Sequence, residues 1–423
     1  MIRRYLDDID NIVVNTIKDT SDFYDLISNC AGIHPIEIIN SIDRIYKDGN
    51  LDDLTYKSIT SSISQAKQCL LNKPKNNLPI PHQLDYDWRF SESGIDTFVI
   101  RINELINSKS FKRIAFIGSP SLFRYYCEAG TKNIDIFLID FNANKHIKKE
   151  FLPSNAYVVN CNLNYDLDME LKVDQINADI VVMDPPWYPE YYKKFFDITD
   201  IIGSVKCLVY GVFPPLLTRE SILSERNEIN SYIKNYGFNN IEYDPLCIEY
   251  CTPPFEQNVL KANGIYNFPT CWRKGDFFST YRNSKTTNCY GSTGIVIRNG
   301  GWTEVNIRNV RFKLRQSAIC EDEEFNIRVD SLYNNDIYPS VSRRYKGHEK
   351  INVWTSGNRV YYCSNIPTLF MIFEHLYDID IASSFEEDYG VILSDLQRCQ
   401  IEKVQENICL IIDLELEEYG EWS

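Results

Sequence analysis

Only five histidines occur in this chain of 423 residues, and none stands beside the closest cysteine pair, Cys247 and Cys251 of CIEYCTPP. A zinc centre needs about four well-placed nitrogen or sulfur ligands, so no metal site is expected. The thirteen cysteines are scattered from Cys30 to Cys409 without paired spacing and read as buried or idle thiols of a reducing cytosol. No run of about 18 apolar residues is present, which excludes a membrane-spanning helix. Acids interrupt the apolar part of MIRRYLDDIDNIVV, so the start is not read as a secretory signal, and the expected location is cytoplasmic. Internal repeats and low-complexity tracts are also lacking.

What is there is the composition of a soluble globular protein, 44% hydrophobic and 24% charged, at a length that predicts two or three domains. The net charge of −15 is unevenly placed. From Glu374 onward 14 acids face only Arg398 and Lys403, whereas the rest of the chain is almost neutral. The acidity therefore does not argue against a polyanionic substrate elsewhere.

Residues 1–72 read as helices around FYDLISNC and PIEIINSIDRIYKDG, in the outline of a small winged-helix-like domain. Nine basic against eleven acidic residues in 1–77 favour a packing or protein-partner module over a DNA reader. A proline-rich linker follows over 73–100, and its LDYDWRFS segment sets Asp87 and Trp88 in an apparent loop. Two readings stay open for that loop, an anchor docking the linker through Trp88 and Phe90 or a flap over the active site. From 101 to 318 near-continuous apolar strands alternate with helices: 113–118, 134–140, 156–160, 178–184 and 205–213. The fold class is α/β, a doubly wound Rossmann-type parallel sheet with both faces covered. Antiparallel strands around an Asn299-Gly300-Gly301 turn are expected to extend it. Residues 319–423 read as a small acidic C-terminal α+β domain, with a hairpin in INVWTSGNRVYY and a helix in IPTLFMIFEHL.

Ligands of such sheets bind outside the carboxyl ends of the strands. The first strand runs into Gly118-Ser119-Pro120, where Gly118 lets backbone approach a ligand and Ser119 is placed to cap a helix opened by Pro120. Asp140 ends the second strand 22 residues later, the spacing of an acid that meets ribose hydroxyls, with Phe141 beside it for an adenine ring. Asn162, after the third strand, is a candidate for the base edge. The fourth strand delivers Asp184-Pro185-Pro186-Trp187. Two prolines hold the chain extended and donate no hydrogen bonds, so Asp184 and the Pro185 carbonyl become two acceptors for one NH2 group. Trp187 offers a flat face to a planar base or a cation, with Tyr188 next to it. The bland readings are a strand-end Asp140 that caps a turn and a Pro-Pro that only stops a strand. Arg219, at a later helix start, reads as solvated beside Glu220 rather than as an anion site.

This order of loop, ribose aspartate and D-P-P-W resembles class I S-adenosylmethionine-dependent methyltransferases that act on amino nitrogens. The resemblance implies a seven-stranded sheet, the methyl donor at Gly118 to Pro120 and Asp140, and the target nitrogen at Asp184 to Trp187. The mRNA-type N6-adenosine methyltransferases place D-P-P-W before the cofactor loop; here it follows Gly118 by 66 residues. Residues 1–260 also resemble the N4-bis(aminopropyl)spermidine synthase family, which implies aminopropyl transfer from decarboxylated S-adenosylmethionine to a polyamine. That family has an acidic first loop and an acid after D-P-P, where this chain has Gly118-Ser119-Pro120-Ser121 and Trp187. Fewer acids suit the ordinary donor, which carries its own carboxylate, so methyl transfer ranks first.

Residues 261–316 hold ten Lys/Arg against Asp276 and Glu304, interleaved with Trp272, Phe277, Phe278, Tyr281, Tyr290 and Trp302. Arg311, Lys313 and Arg315 share one strand face by the period of two. Nucleic acid or a nucleotide is the partner this stretch suggests, and a merely solvated or internally neutralised face is the alternative. Three functions are therefore carried forward: an N-methyltransferase on a nucleobase-like amine, an aminopropyltransferase, and a catalytically silent Rossmann module within a larger assembly.

Overall fold

Strands β1 (Arg113–Ile117), β2 (Asp135–Asp140), β3 (Ala156–Asn160), β4 (Ala178–Met183) and β5 (Gly203–Phe213) coincide with the five apolar runs. Their centres are apolar on both faces because both sides of the sheet are covered. Ile114, Phe116, Ile180 and Val182 point into a core with Ile95, Phe98 and Ile102 of helix α5 (Glu92–Ser108) and Leu122, Phe123 and Tyr126 of α6 (Pro120–Glu128). Ala115, Ile117, Val181 and Met183 point the other way, onto Phe195 and Phe196 of α7 (Pro189–Ile202) and Ile229 and Ile233 of α8 (Ile222–Asn235). A computed structural model supplies these coordinates and describes residues 2–30, 32–65, 88–108, 111–129, 134–140, 147, 152–160, 176–284, 302–315, 325–332, 344–345, 347–357 and 359–419.

Two further strands complete this sheet, β6 (Asn239–Tyr250) and β7 (Arg273–Tyr281). The order is β3-β2-β1-β4-β5-β7-β6, with β1 to β5 parallel and β7 antiparallel to both of its neighbours. Successive strands step outward in one direction from β1 to β3 and in the other from β4, so the order reverses between β1 and β4, the position at which sheets of this kind leave a crevice for a ligand. The buried pair Arg226–Asp276 (2.6 Å) ties α8 to β7, and the second oxygen of Asp276 accepts the Leu246 amide of β6 at 2.9 Å. The expected doubly wound, class I methyltransferase-like sheet is thus present.

The same compact unit includes helices α1 (Ile2–Ile17), α2 (Phe23–Asn29), α3 (Pro35–Lys47) and α4 (Asp53–Ser62). Residues 2–65 contain no strand among those described. Pro35 opens α3, and the His34 ring accepts the Ile36 amide at 3.2 Å. Gly32, at φ +71°, lets the α2–α3 turn approach β7, since a Cβ there would lie 3.1 Å from the Lys274 nitrogen. The edge of His34 meets Trp272 at 5.1 Å.

A second unit holds helix α9 (Pro254–Ala262) and residues 298–423. Its five-stranded antiparallel sheet has the order β10-β12-β11-β9-β8, from β8 (Trp302–Ile307), β9 (Val310–Arg315), β10 (Val329–Ser331), β11 (Val353–Thr355) and β12 (Val360–Cys363). Helices α10 (Ile366–Glu374), α11 (Ile381–Tyr389) and α12 (Asp395–Tyr419) cover one face through Leu369, Phe385, Ile401 and Ile408. The buried Glu415 of α12 accepts from Thr355 Oγ1 and Arg359 Nη1, each at 2.7 Å. The basic strand expected to extend the first sheet therefore lies in the second. Its hairpin turns at Arg308-Asn309, both at positive φ, as a two-residue loop of the right hand requires. The expected Asn299-Gly300-Gly301 turn lies outside the described residues. No described helix is long and apolar enough to cross a membrane.

Candidate active site

Ile117 and Met183 pair across β1 and β4, so the residues that follow them emerge side by side. Gly118 makes the first bend, at φ +62°, which favours glycine, and its amide donates to Ile139 O of β2 at 3.0 Å. A Cβ at this position would lie 3.0 Å from the Phe195 ring and 4.0 Å from the Asp184 carbonyl oxygen. Gly118 and Asp184 are thus backbone neighbours at one mouth. Asp140, half-buried, ends β2 at the same edge, in register with Asn160. The three strand ends converge as the spacing required.

Asp184 is half-buried, and its Oδ1 accepts the Tyr250 hydroxyl at 2.7 Å. Burial, and then the Asp184 charge, push the Tyr250 hydroxyl well above its usual range, which keeps it a donor. Tyr192 beneath is fully buried; burial and the same carboxylate raise it too, and its hydroxyl donates to Val212 O at 2.6 Å. After the prolines the chain makes a tight turn in which the Tyr188 amide donates to Pro186 O at 2.7 Å, and α7 begins at Pro189. Arg219 donates to the Trp187 carbonyl and pairs with Glu225 (Nε to Oε2, 2.9 Å), while its guanidinium covers the Tyr188 ring at 4.6 Å. Arg219 is therefore a clasp on the motif, engaged with Glu225 rather than solvated beside Glu220.

Trp187 meets Tyr250 edge to face, with centroids 5.6 Å apart. Arg273, the first residue of β7, places its guanidinium 4.7 Å from the Trp187 centroid, 5.7 Å from Trp88 and 5.6 Å from Trp272. Trp88 also abuts Trp272 edge to face at 5.9 Å. The backbone beyond Trp88 adds to the end of β6: Ser91 N donates to Glu249 O and Cys251 N to Arg89 O, both at 2.8 Å, and Phe90 is buried against Tyr250. Residues 88–91 are thus an anchor, and Trp88 also borders the site.

Of the expected site residues, Gly118, Ser119, Pro120, Asp140 and Asp184 to Trp187 share one edge of the sheet, and Tyr188 is exposed beside them. Ser119 does precede the helix opened by Pro120, but its hydroxyl donates back to Ile117 O at 3.0 Å instead of capping. Phe141, Asn162 and Asp87 lie outside the described residues. Tyr250 and Arg273 had not been expected here. The signal for Tyr250 is the short alternation of CIEY at the end of β6, in which Ile248 and Tyr250 are buried; Arg273 belongs to the basic stretch, and its neighbour Trp272 is the hint. That stretch is divided between the two sheets. In β9 the alternation holds, with Val310, Phe312 and Leu314 buried, while Arg311 pairs with Glu304 at 2.8 Å and Arg315 lies over Trp302. The described cysteines are free thiols, and no group of three metal-ligating side chains occurs among the described residues.

Residues 82–203 match the model of a family described as Probable N6-adenine methyltransferase. The domain is methyltransferase-like. The match spans less than a third of the chain, yet it includes every candidate residue from Asp87 to Tyr188. The strand order of the methyltransferase-like domain agrees with this, and S-adenosylmethionine is the cofactor such a family uses, as expected. None of the curated proteins matches the sequence. Among solved structures, the branched-chain polyamine synthase of Thermus thermophilus, in complex with N4-aminopropylspermidine and 5'-methylthioadenosine, is 11% identical over 66% of this chain and 87% of its own, with a TM-score of 0.45. A SAM-dependent O-methyltransferase of Thermotoga maritima is 11% identical over 48% and 69%, at 0.30. The magnesium protoporphyrin IX methyltransferase of Synechocystis, with bound SAH, is 11% identical over 44% and 81%, at 0.29. The assignment rests on the family match and the strand order, not on these distant likenesses.

Proposed function

We propose that the methyltransferase-like domain methylates an amino nitrogen of a nucleobase or nucleotide-like acceptor. One observation carries this: Asp184 of D-P-P-W stands at the carboxyl end of β4, across the sheet's reversal point from Gly118, with one oxygen held by the buried Tyr250. S-adenosylmethionine, when bound, supplies an electrophilic methyl carbon on a sulfonium. In this reading Asp140 would accept from the ribose hydroxyls, and the bend at Gly118 with the start of α6 would meet the charged end of the donor.

Tyr250 fixes the Asp184 carboxylate, so the acceptor amine can donate to it without reorganisation of the site. Asp184 accepts hydrogen bonds from the amine throughout and needs no shifted acidity, because the nitrogen becomes acidic only as its bond to carbon forms and the carbon–sulfur bond breaks to leave a neutral thioether; the proton then released passes through Asp184 to solvent. The clasp of Arg219 and the paired prolines hold this edge in one conformation, which keeps nitrogen, carbon and sulfur in line.

Calorimetry with S-adenosylmethionine, its decarboxylated form and S-adenosylhomocysteine tests the reading. Preference for the ordinary donor supports it, preference for the decarboxylated one points to aminopropyl transfer, and silence towards all three points to a catalytically silent module. Asp184→Ala is expected to keep donor affinity and to lose about a hundredfold or more in turnover. Full activity in that variant would remove the acceptor nitrogen from this place.

A further inference from the structure

We infer that Cys251 and Cys271 are a modification site, a dithiol that closes to a disulfide by exchange with a small disulfide such as oxidised glutathione, and that closure lowers methyl transfer. The effect on transfer rests on the function proposed above; the bond itself does not. The two sulfurs lie 3.5 Å apart, one just past the end of β6 and the other two residues ahead of β7. Thr252 N donates to Thr270 O at 2.7 Å, while Cys251 N turns the other way, to Arg89 O at 2.8 Å. Cys251 and Cys271 therefore stand opposite each other at a non-hydrogen-bonded step, the closer kind of antiparallel pair, with Cα atoms about 4.5 Å apart. A disulfide accepts Cα separations of about 4.4–6.8 Å, so the backbone need not open for the bond to form. Both residues are half-buried, within reach of a small reagent. Cys30 and Cys127 make the contrast: they are buried, and burial pushes their thiols up to about 11 and about 12, which leaves them inert.

The hydrogen bonds set the order of the steps. Thr270 Oγ1 donates to Cys271 Sγ at 3.9 Å, and Cys271 Sγ donates to Cys251 Sγ. The bond to Cys251, and then burial, raise the Cys271 thiol, so Cys251 carries the thiolate when one forms. That thiolate attacks one sulfur of the small disulfide, whose S–S bond breaks; a mixed disulfide forms on Cys251 and the first small thiolate leaves. Cys271 then loses its proton and attacks the Cys251 sulfur, which expels the second small thiolate. Two electrons pass from the cysteine pair to the reagent, and the two cysteine protons end on the two small thiols. Closure draws the sulfurs from 3.5 Å to about 2.05 Å. Cys251 follows Tyr250, whose hydroxyl holds Asp184, and Cys271 precedes Trp272 and Arg273, which border Trp88 and Trp187. The bond therefore acts on the edge that carries Asp184 and Trp187, not on the bend at Gly118.

The test uses the full chain in glutathione buffers from reduced to oxidised, with free thiols trapped by alkylation and peptides mapped by mass spectrometry. Oxidation is expected to yield a Cys251–Cys271 crosslinked peptide that dithiothreitol reverses, and a shift in tryptophan emission, since Trp272 adjoins Cys271. Affinity for S-adenosylmethionine by calorimetry should be unchanged. Methyl incorporation into a short oligonucleotide holding adenine and cytosine should lose about tenfold in kcat, as a small misplacement of reacting groups does, and recover on reduction. Cys251→Ser and Cys271→Ser should each keep the activity of the reduced chain and lose the crosslink, and donor calorimetry on both reports an intact fold. Glutathione should load onto Cys251 in Cys271→Ser more readily than onto Cys271 in Cys251→Ser. Cys399→Ser, at an exposed cysteine, should still form the crosslink, which separates it from disulfides between molecules. Thiols that stay free in oxidised glutathione, or a crosslink with unchanged emission, would overturn the inference whatever the acceptor. A crosslink and an emission shift with unchanged kcat would overturn the control of transfer. A reduced chain that binds the donor and methylates no base would overturn the function proposed above, while the crosslink and the emission still decide this site.

Discussion

The two halves of the crevice are built differently. The β1–β2 half is made of consecutive residues: Ile117, Gly118 and Ser119 form one bend whose amide and hydroxyl bond back to strand ends. The β4–β7 half is made of side chains from five separate stretches, bringing Trp88, Asp184, Trp187, Arg219, Tyr250 and Arg273 together over as many as 185 positions of sequence. The first half is set by topology, as in any ligand site at a strand-order reversal. The second is set by particular partners. Changes in the first half should therefore act on donor affinity, and changes in the second on transfer and acceptor choice.

Gly275→Ala should have the largest effect. Its Cβ would fall 2.3 Å from Val212 Cγ1, 3.2 Å from Trp187 and 3.3 Å from Tyr250. Such overpacking costs about 1–3 kcal/mol, and the expected result is a lower Tm with altered tryptophan emission while the donor still binds. Gly118→Ala probes the opposite half: a left-handed backbone with a Cβ costs about 1–2 kcal/mol, and the Phe195 ring stands 3.0 Å away. Donor affinity by calorimetry should fall while tryptophan emission stays unchanged; if emission shifts as well, the halves are not separable.

Tyr250→Phe sharpens the contrast within the second half. It removes one hydrogen bond to a carboxylate, worth about 1.5 kcal/mol or more, so kcat should fall about tenfold with donor affinity intact. Equal loss of donor affinity would place Asp184 on the donor side instead. The smallest effect is on pH dependence. Burial pushes Tyr210 up to about 12 from 10.0. A hydroxyl raised on folding contributes its full stability below its unfolded value and loses it as the pH climbs through the folded one. The denaturation midpoint should hold to about pH 10 and then decline towards 12, less steeply in Tyr210→Phe.

Legibility from sequence follows the same division. Near-continuous apolar runs revealed β1 to β5, because a strand buried on both faces has no polar alternation to blur it. Asp140 and Asp184 were readable as strand-end acids. Strands β6 and β7 were not: the Asp244-Pro245 step breaks β6, whose pairing with β7 shifts register twice, and Asp276 sits within β7 for the sake of Arg226. The charged Arg311, Lys313 and Arg315 face was found correctly but assigned to the wrong sheet, since periodicity gives a face and not a neighbour. The Arg308-Asn309 turn was missed because glycines nearby offered a more conventional one.

The reversed direction of β7 has a consequence for how such a pocket is coupled to its surroundings. A parallel strand in that position would begin at the far edge of the sheet and bring only its end to the crevice. Running backward, β7 enters at the crevice, with Arg273 opposite Tyr250, and carries its interior residues away into the core. The residue just ahead of it, Trp272, therefore reaches the crevice before the ladder begins, and it is buried between His34 and Trp88. A substitution at this one ring would be felt both at the helical turn before α3 and at the mouth of the site.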